Sequence, residues 1–326
     1  MSKLGRAVVT GGAGFIGSHL VDELARRGVE TLVVDDFSTG SRENLRQHSE
    51  GGLVKVYAGD VRRIAELLRR VRDVDVLFHE AAIASVPLSV KEPRRVHDAN
   101  VNATLDVLDY CRSAGVRRVV FASSAAVYGV LDGKEASEEY PCHPSSPYGA
   151  SKLAVEDYLS AYHRTYGLET VALRYFNVYG PRQAFNNGYS GVITIFANQL
   201  LAGQSPTVFG DGQQTRDFVS VMDIVRANLL AAESAAAIGD SFNVASGRSV
   251  SVLQLLASLK RVAGREDIAP TFAPQRAGDV RSGSASIQKI RQVLGYEPAI
   301  PFADGLSSLV RHIKEGPDIV VKAPRW

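Results

Sequence analysis

Short apolar runs alternate with longer amphipathic stretches through the first half of the chain. The runs are rich in β-branched and aromatic residues, which is typical of buried strands, and they lie at residues 7–9, 31–34, 53–57, 74–78, 117–124 and 169–175. Between them, apolar residues recur at helical spacing over residues 15–27, 61–71, 94–113 and 148–166. Strands that alternate with helices predict a parallel sheet covered by helices on both faces.

The regular alternation ends after Asn177. Residues 181–191 form a polar stretch with Gly and Asn, which is typical of a loop. The pattern beyond is mixed, with helices predicted near residues 192–201, 223–236, 251–262 and 302–314 and strands at 207–209 and 217–221. Residues 242–245 are expected to return a strand to the first sheet. We therefore predict two domains, residues 1–177 and 178–326, with some later segments returning to the first.

The turn between the first predicted strand and the first predicted helix reads GGAGFIG from Gly11 to Gly17. The first two glycines allow a tight turn, Gly14 lets the backbone approach a pyrophosphate, and Gly17 lets the helix lie close to the strand. The N–H groups at the start of the helix would face the phosphates. This arrangement predicts a Rossmann-type doubly wound α/β fold that binds a dinucleotide, and the alternative is a glycine-rich turn without a ligand.

An acidic residue follows the second predicted strand. Asp35 lies 18 residues after Gly17, close to the spacing of about 20 that is typical of dinucleotide-binding sites. A carboxylate at this place accepts hydrogen bonds from a ribose diol and repels a 2′-phosphate. Because no arginine follows Asp35 directly, the sequence predicts NAD rather than NADP.

Composition argues against several classes of protein. The chain has 326 residues, is 45% hydrophobic and carries a formal net charge of only +2, with basic and acidic residues interleaved, so binding to nucleic acid or to a membrane surface is not indicated. The two cysteines, Cys111 and Cys142, are too few for a disulfide framework and lack metal-ligand spacing. A predicted strand begins almost at the N-terminus, and no apolar stretch is long enough to span a membrane. We therefore expect a cytoplasmic protein with no metal site.

Polar side chains follow two of the predicted strands at the edge where a doubly wound sheet binds its ligand. His79 comes directly after residues 74–78, and the small Ala81 and Ala82 would let the chain pass close to a cofactor. His79 is either a base or, more commonly, a core residue whose hydrogen bonds are satisfied. Ser123 and Ser124 end the next strand and bring two hydroxyls to the same edge.

Tyr148 and Lys152 lie four residues apart at the start of a helix that Ser146 and Pro147 are expected to open. A tyrosine is useful in proton transfer only if its pKa, ordinarily near 10, is lowered. A neighbouring ammonium group, together with a positively charged nicotinamide, would favour the phenolate and lower that pKa. The alternative is a packed aromatic side chain beside a solvated lysine.

Taken together, these motifs resemble the extended short-chain dehydrogenase/reductase family, and the similarity covers essentially the whole chain. The family motifs are the glycine turn, Asp60, Asn100, Ser123-Ser124 and Tyr148-x-x-x-Lys152. Four further features are similar to the nucleotide-sugar branch of NAD-dependent epimerases and dehydratases. They are the segment RYFNVYGPRQ at 174–183, the strand that carries Phe209, the pair Arg216-Asp217 and the segment RAGD at 276–279. Within that branch the chain is most similar to the 4-epimerases of UDP-hexoses.

The resemblance implies a mechanism. Tyr148 would take the proton of the sugar 4-OH while C4 gives a hydride to NAD, and Lys152 would bind the nicotinamide ribose and lower the Tyr148 pKa. Ser124 would hydrogen-bond the 4-oxygen. The 4-keto sugar would then rotate about its diphosphate and take the hydride back on its other face, so NAD should stay bound.

The resemblance also implies two sets of binding residues. Those for the cofactor are Gly11, Gly14, Phe15, Ile16, Asp35, Asp36, Phe37, Ser38, Gly40, Asp60, Val61, Ala81, Ala82, Asn100, Ser123, Tyr148, Lys152 and Tyr175. Those for a UDP-sugar substrate are Ser85, Ser124, Tyr148, Asn177, Val192, Thr207, Phe209, Arg216, Arg276 and Asp279. The two arginines are suited to a diphosphate.

Positions at which this chain differs from its relatives reduce the range of possible substrates. Nucleotide-sugar dehydratases resemble one another in having Asp-Glu where this chain has Ala125 and Ala126, and decarboxylases of the branch have Glu there. Because alanine cannot transfer a proton, dehydration of the sugar is disfavoured. Relatives acting on UDP-glucuronate tend to have Thr in place of Asn177 and Arg in place of Ala184, which favours a neutral hexose here. Gly283 stands where glucose-restricted epimerases have Tyr, which leaves room for an N-acetyl group.

Three readings of the function therefore remain. The first is a UDP-hexose 4-epimerase that accepts UDP-glucose and UDP-galactose and has room for the N-acetylated pair. The second keeps the fold and NAD but changes the sugar, to UDP-glucuronate or another sugar nucleotide. The third is a non-catalytic NAD-sensing protein, against which the complete set of Ser124, Tyr148 and Lys152 argues. The resemblance also implies a homodimer formed by the helices near 94–113 and 148–166.

Overall fold

The computed structural model describes residues 4–50, 52–131, 133–184, 191–275 and 283–316. The strands are β1 (Arg6–Thr10), β2 (Glu30–Asp35), β3 (Val54–Ala58), β4 (Val76–His79), β5 (Arg118–Ser124), β6 (Glu135–Ala136), β7 (Glu169–Tyr175), β8 (Asn177–Tyr179), β9 (Thr207–Phe209), β10 (Thr215–Ser220), β11 (Asp240–Val244), β12 (Ser249–Ser251), β13 (Thr271–Ala273) and β14 (Ser284–Ala285).

The α-helices are α1 (Phe15–Arg26), α2 (Ile64–Leu67), α3 (Val86–Lys91), α4 (Pro93–His97), α5 (Ala103–Ala114), α6 (Pro147–Tyr166), α7 (Val192–Leu201), α8 (Val221–Glu233), α9 (Val252–Ala263), α10 (Gln288–Leu294) and α11 (Phe302–Glu315). Short 3-10 helices lie at Arg42–His48, Val61–Arg63, Ala125–Val127 and Ala235–Ala237, and Asp98–Asn102 forms a π-helical turn.

Within the described ranges, seven strands form a parallel sheet in the order β11-β7-β5-β4-β1-β2-β3. The chain starts in the middle at β1, moves outward to β3, and then continues from β4 in the other direction. Strand order reverses between β1 and β4, and ligands of doubly wound sheets bind at such a reversal, beyond the carboxyl ends of the strands. The predicted α/β Rossmann-type fold is confirmed, and β11 is the strand that returns from the second half of the chain.

Two apolar cores cover the faces of this sheet. One lies between the sheet and α1, α8 and α10, and includes the fully buried Leu20, Ile224 and Ile290. The other lies between the sheet and α2, α5 and α6, and includes Leu108 and Val155. The parallel strands are apolar on both faces because helices cover both.

A smaller unit follows β7. The strands β8 and β10 are parallel and β12 is antiparallel to β10, while β9 pairs with β13. The helices α7, α9 and α11 contribute Phe196, Leu255 and Leu306 to a third core of buried residues. This unit lies beside the carboxyl edge of the large sheet because β8 begins only two residues after β7 ends.

Two predicted helices differ from those of the structure. The stretch 94–113 is not one regular helix, because α4 and α5 are joined by the π-helical turn that carries Asn100. The stretch 61–71 contains only a 3-10 turn and the short α2. Its fully buried residues Ile64 and Leu68 are one turn apart, so packing supports a single turn of helix.

Candidate functional site

The glycine turn forms a close-packed cradle at the end of β1. Gly11 has a φ of +67° and donates its N–H to the Val34 carbonyl at 2.8 Å, while Gly14 donates to the Gly11 carbonyl at 3.0 Å. A Cβ at Gly17 would lie 2.2 Å from the Gly11 oxygen, so the first turn of α1 packs here only because residue 17 is glycine. Phe15 begins α1, with Ile16 next, and its N-terminal N–H groups point toward the carboxyl edge of the sheet. This cradle fits a dinucleotide pyrophosphate.

Asp35 organises the loop beyond β2. It accepts the Ala13 N–H and the Phe37 N–H, both at 2.8 Å, and burial raises the pKa of its carboxyl group. Asp36 is exposed and accepts the Ser38 N–H at 2.9 Å. Each carboxylate has further acceptor positions that a ribose diol could use.

The same loop packs on the glycine turn. A Cβ at Gly40 would lie 2.8 Å from the Ala13 backbone carbon. Asn44 donates its side-chain amide to the Ala13 carbonyl at 2.8 Å, and the Ser41 N–H donates to the same oxygen at 3.0 Å. Asn44 was not predicted from the sequence, because a single amide on a 3-10 turn carries no recognisable pattern.

Two further predicted cofactor residues form contacts within the protein. Asp60 directly precedes the 3-10 turn that begins at Val61. Its carboxylate accepts hydrogen bonds from the backbone N–H and from the guanidinium of Arg62, each at 2.9 Å. Asn100 is 2% exposed, accepts the Ile83 N–H at 2.8 Å and donates to the Ser151 hydroxyl at 3.1 Å. Asn100 therefore fixes the segment that follows Ala81 and Ala82 against helix α6.

His79 is a core residue. Its ring nitrogens lie 2.6 Å from the Thr10 hydroxyl and 2.9 Å from the Thr104 hydroxyl, and the side chain is 1% exposed. Burial lowers its pKa to about 3, so the ring is neutral. Of the two possibilities that the sequence leaves open, the satisfied core residue fits this geometry.

Ser124, Tyr148 and Lys152 meet at the carboxyl edge of the sheet. Ser124 ends β5, and its hydroxyl is hydrogen-bonded to the phenol of Tyr148. Lys152, one turn further along α6, is 3% exposed and donates its ammonium to the Ala122 carbonyl at 2.8 Å. The ammonium nitrogen lies 4.7 Å above the centre of the Phe121 ring and 6.0 Å from the centre of the Tyr148 ring.

Burial controls the pKa values of this pair. It raises the pKa of Tyr148, and the Ser124 hydrogen bond only partly opposes the rise. Desolvation of the phenolate is the largest effect among the protein groups, and the lowering of this pKa by Lys152 together with a nicotinamide charge stays a prediction. Burial also lowers the pKa of Lys152 to about 8.

Ser123 faces the interior. Its hydroxyl donates to Glu156, which also forms an ion pair with Arg174 at 2.6 Å. Arg174 donates to the Tyr128 hydroxyl at 2.9 Å, and that hydroxyl donates to Asn243 at 2.7 Å. Glu156 was not identified from the sequence, although it lies on α6 four residues after Lys152 and so on the same helical face.

Tyr175 ends β7, and its hydroxyl is engaged within the protein. It donates to Glu80 at 2.8 Å and accepts from the side-chain amide of Asn228 at 2.7 Å. Glu80 was missed as well, although its place directly after the apolar run of β4 marks it as a carboxylate at the ligand-binding edge.

A cavity of about 400 Å³ opens between the small strands and helix α7. Its lining includes five of the predicted substrate residues, which are Asn177, Val192, Thr207, Phe209 and Arg216. Apolar side chains and several polar groups share the lining, as expected of a pocket for a polar ligand. Gln183 and Gln214 also line it and were not predicted as substrate residues, although Gln183 is the last residue of the segment RYFNVYGPRQ.

The structure describes only some of the remaining residues that were predicted to bind or select the substrate. Ser85 is buried and caps α3 by accepting the Leu88 N–H at 3.1 Å. Arg276 and Asp279 lie outside the described residues. Gly283 is half-buried, and of the residues that the structure describes only the Leu131 side chain would lie within 4 Å of a Cβ there, at 3.9 Å.

The described residues contain no cluster of three or more His, Cys, Asp or Glu side chains that could bind a metal ion. In the same part of the chain, none of the helices has the length and apolar character needed to span a membrane.

Comparison with known proteins gives consistent matches over most of the chain. The sequence profile of the NAD dependent epimerase/dehydratase family matches residues 7–245. The UDP-glucose 4-epimerase of Mycolicibacterium smegmatis is 38% identical over 312 residues, which are 95% of this chain and 98% of that protein. The crystal structure of the Thermus thermophilus UDP-glucose 4-epimerase in complex with NAD is 39% identical, with a TM-score of 0.85 over 95% of this chain and 99% of that one. The UDP-N-acetylglucosamine 4-epimerase of Methanobrevibacter ruminantium, in complex with UDP-N-acetylmuramic acid, is 37% identical, with a TM-score of 0.89 over 96% and 99%.

Proposed function

This chain belongs to the NAD-dependent epimerase/dehydratase family, and from this premise we propose that it is an isomerase that interconverts the 4-epimers of a UDP-hexose with tightly bound NAD. The observation that carries the proposal is the meeting of Ser124, Tyr148 and Lys152 at the sheet edge. This proton-transfer set lies at the carboxyl edge of the sheet, where the glycine turn after β1 also lies. A sensor that only binds NAD would need none of the three side chains.

Each of the three side chains has its own role in the proposed reaction. NAD, when bound, supplies the acceptor that takes the hydride from C4 of the sugar and later returns it. Tyr148 removes the proton from the 4-hydroxyl as a general base, and Ser124 hydrogen-bonds the 4-oxygen. The Lys152 ammonium, together with the nicotinamide charge, would favour the phenolate of Tyr148. Burial acts in the opposite direction and raises the Tyr148 pKa. Tyr148 gives the proton back when the hydride returns, so no net oxidation occurs.

We propose that the two parts of the chain have separate binding roles. Residues 1–177 would bind NAD through the glycine cradle, Asp35 and the edge of the sheet. Residues 178–326, together with Asn177, would bind the nucleotide sugar in the cavity, with Arg216 as a partner for the diphosphate. The return of β11 to the large sheet ties the second part to the first.

A neutral hexose is favoured over UDP-glucuronate. Asn177 lines the cavity and donates its amide to the Asp217 carbonyl at 2.9 Å, so it carries no positive charge for a sugar carboxylate. Ala184, close to the cavity residue Gln183, offers none either. The side chains of Ala125 and Ala126 cannot move a proton, which disfavours loss of water.

Product analysis tests the proposal. Purified protein is incubated separately with UDP-glucose, UDP-N-acetylglucosamine and UDP-glucuronate, without added NAD. We expect the 4-epimer of one or both neutral sugars to form. Turnover of UDP-glucuronate alone would contradict the assignment of a neutral hexose, and no turnover with NAD supplied would contradict the proposed function.

Gly283→Tyr is expected to exclude N-acetylated substrates selectively. Among the described residues, a Cβ at this position would only touch the Leu131 side chain, at 3.9 Å, so we expect a phenol to fit here and to occupy the volume of an N-acetyl group. We expect kcat/KM for UDP-N-acetylglucosamine to fall by roughly 10–100-fold, with little change for UDP-glucose. Gly283→Ala is the control and should change neither. Equal losses on both sugars would contradict a gating role for this position.

The two long helical segments are the proposed dimer interface. The face of α6 presents Tyr158 and Tyr166, which are 41% and 54% exposed. Tyr162 connects this face to α5 through a hydrogen bond to Asp109 at 3.0 Å. Exposed aromatic residues at the same helical spacing are typical of a surface that a second copy covers.

Tyr158→Glu is expected to shift the protein from dimer to monomer, because a carboxylate would be buried without a partner. Sedimentation velocity measures the change. Met222→Glu, at a residue that is 43% exposed on α8, is the matched control and should leave the dimer intact. A monomeric wild-type protein would rule out this interface.

We also propose a cytoplasmic location. Cys111 and Cys142 are both free thiols, as a reducing compartment keeps them.

A further inference from the structure

Glu80 is a carboxylate beside the proton-transfer set that the mechanism above leaves without a role. It directly follows β4, and its N–H donates to the Thr10 carbonyl at 3.2 Å. Its carboxylate accepts the Tyr175 hydroxyl at 2.8 Å. The backbone and the side chain of Glu80 are therefore both fixed at the carboxyl edge of the sheet.

Hydrogen bonds from Asn228 fix Tyr175, the partner of Glu80. The side-chain amide of Asn228 donates to the Tyr175 hydroxyl at 2.7 Å and to the Ile224 carbonyl at 3.0 Å. Asn228 is fully buried on α8. Because this amide supplies a hydrogen to the Tyr175 oxygen, the hydroxyl hydrogen of Tyr175 is directed to Glu80, where it stabilises the ionised carboxylate.

The register of the sheet brings Glu80 to the level of the catalytic groups. His79 pairs with Phe121 at the end of the ladder between β4 and β5, and Glu80 and Ala122 are the residues that directly follow this last pair. The Ala122 carbonyl is the one that accepts the Lys152 ammonium at 2.8 Å. Glu80 and the ammonium of Lys152 therefore share one corner of the sheet edge.

The other charges around Lys152 are neutralised. Glu156 also acts on Lys152, but it forms a buried ion pair with Arg174 at 2.6 Å. His79 is neutral, because burial lowers its pKa to about 3. Among the described groups that act on the Lys152 ammonium, Glu80 is the carboxylate that no cation pairs with.

Building on the proposed function, we propose that Glu80 is a positioning residue for proton transfer, whose carboxylate is the counter-charge that keeps the Lys152 ammonium protonated beside Tyr148. Burial removes water from Lys152 and disfavours its charge, and a nearby anion offsets that cost. An ammonium that lost its proton would no longer favour the phenolate of Tyr148.

The pKa values of the pair fit this role. Burial raises the pKa of Glu80 to about 7 and lowers the pKa of Lys152 to about 8, while each charge opposes the shift of the other. Removal of the carboxylate charge should lower the Lys152 pKa further, because an anion nearby favours the ammonium. A much larger share of Lys152 would then be neutral at physiological pH.

The direct test is the titration of Lys152 in protein labelled with 13C at the lysine ε-carbon, with Lys152→Arg used to assign the resonance. Glu80→Gln removes the charge and retains an oxygen that can accept the Tyr175 hydroxyl. We expect the Lys152 midpoint to fall by about one pH unit in Glu80→Gln. Glu80→Asp, which keeps the charge, should restore most of that shift.

Enzyme kinetics give a second readout. The basic limb of the pH profile of kcat/KM should move to lower pH by about the same amount in Glu80→Gln, whereas NAD content and KM for the UDP-sugar should stay close to wild type. Glu138→Gln is the matched control. Glu138 is a half-buried carboxyl group whose pKa is also raised by burial. It accepts the Asn243 N–H at 2.7 Å and does not act on Lys152, so its substitution should move neither readout.

A second variant keeps the test decisive if Glu80→Gln does not fold. Tyr175→Phe leaves the carboxylate in place but removes the hydrogen bond that favours its ionised form, so the Lys152 midpoint should fall by a smaller amount. An unchanged midpoint in the variants that fold overturns the proposal, and so do equal shifts in Glu80→Gln and Glu138→Gln. If the wild-type protein epimerises no UDP-sugar, the proposed function fails, while the lysine titration still decides the role of Glu80.

Discussion

Tyr148→Phe is expected to lose epimerase activity by roughly 10²–10⁴-fold in kcat, the usual contribution of a positioned general base. The substitution removes one oxygen, which is the group that hydrogen-bonds Ser124 and would accept the 4-hydroxyl proton. The ring volume is retained, so the packing of α6 against β5 should not change. The measurement is steady-state conversion of UDP-glucose to its 4-epimer across a range of pH.

Binding assays separate loss of chemistry from loss of structure in this variant. NAD content and calorimetric binding of UDP should remain near wild type, because the glycine cradle and the cavity are untouched. Tyr162→Phe is the matched control, since it removes a phenol from the same helix where that phenol donates to Asp109 at the surface. Near-normal turnover by Tyr148→Phe would remove the phenol from the mechanism.

Gly14→Val is expected to give a folded protein that no longer retains NAD. Gly14 has a φ of −76° and a ψ of −176°, which L-residues adopt without strain. Within the described part of the chain, the one close neighbour of a Cβ there would be the Gly11 oxygen, at 3.1 Å. The added side chain would therefore project into the space over the turn that a pyrophosphate needs. A cost on the order of 2–3 kcal/mol corresponds to roughly 100-fold weaker binding.

The measurement is the NAD released from denatured protein, together with the Tm of NAD-free samples. NAD must be absent from both samples because bound ligand raises the Tm by itself. Gly17→Ala is the instructive contrast, since its Cβ would lie 2.2 Å from the Gly11 oxygen and should destabilise the fold itself. A Gly14→Val protein that copurifies with a full complement of NAD would contradict the assignment of the cradle.

Much of the fold was predictable because it is encoded locally. The strand at 169–175 and the helix at 192–201 have the predicted bounds, since an apolar run and a helical stripe each report on neighbours only a few residues away. Gly115 ends α5 in a left-handed conformation, as expected of a glycine after a helix. The π-helical turn at Asp98–Asn102 was not predicted, because the same apolar stripe is compatible with a regular helix.

The sequence by itself determined the glycine turn, the placement of Asp35 after β2, and the spacing that brings Tyr148 and Lys152 to one face of α6. Each of these depends on residues close together in the chain or on the general rule that parallel strands end at one edge. The Rossmann-type sheet and the use of NAD follow from the same local patterns.

Only the tertiary structure decided what surrounds those residues. Glu80 meets Tyr175 across 95 positions of the chain, and Asn228 meets Tyr175 across 53, because β4, β7 and α8 converge only when the sheet is assembled. Burial raises the pKa of Tyr148 for the same reason, since desolvation depends on every element packed around the phenol and periodicity along the chain does not encode it.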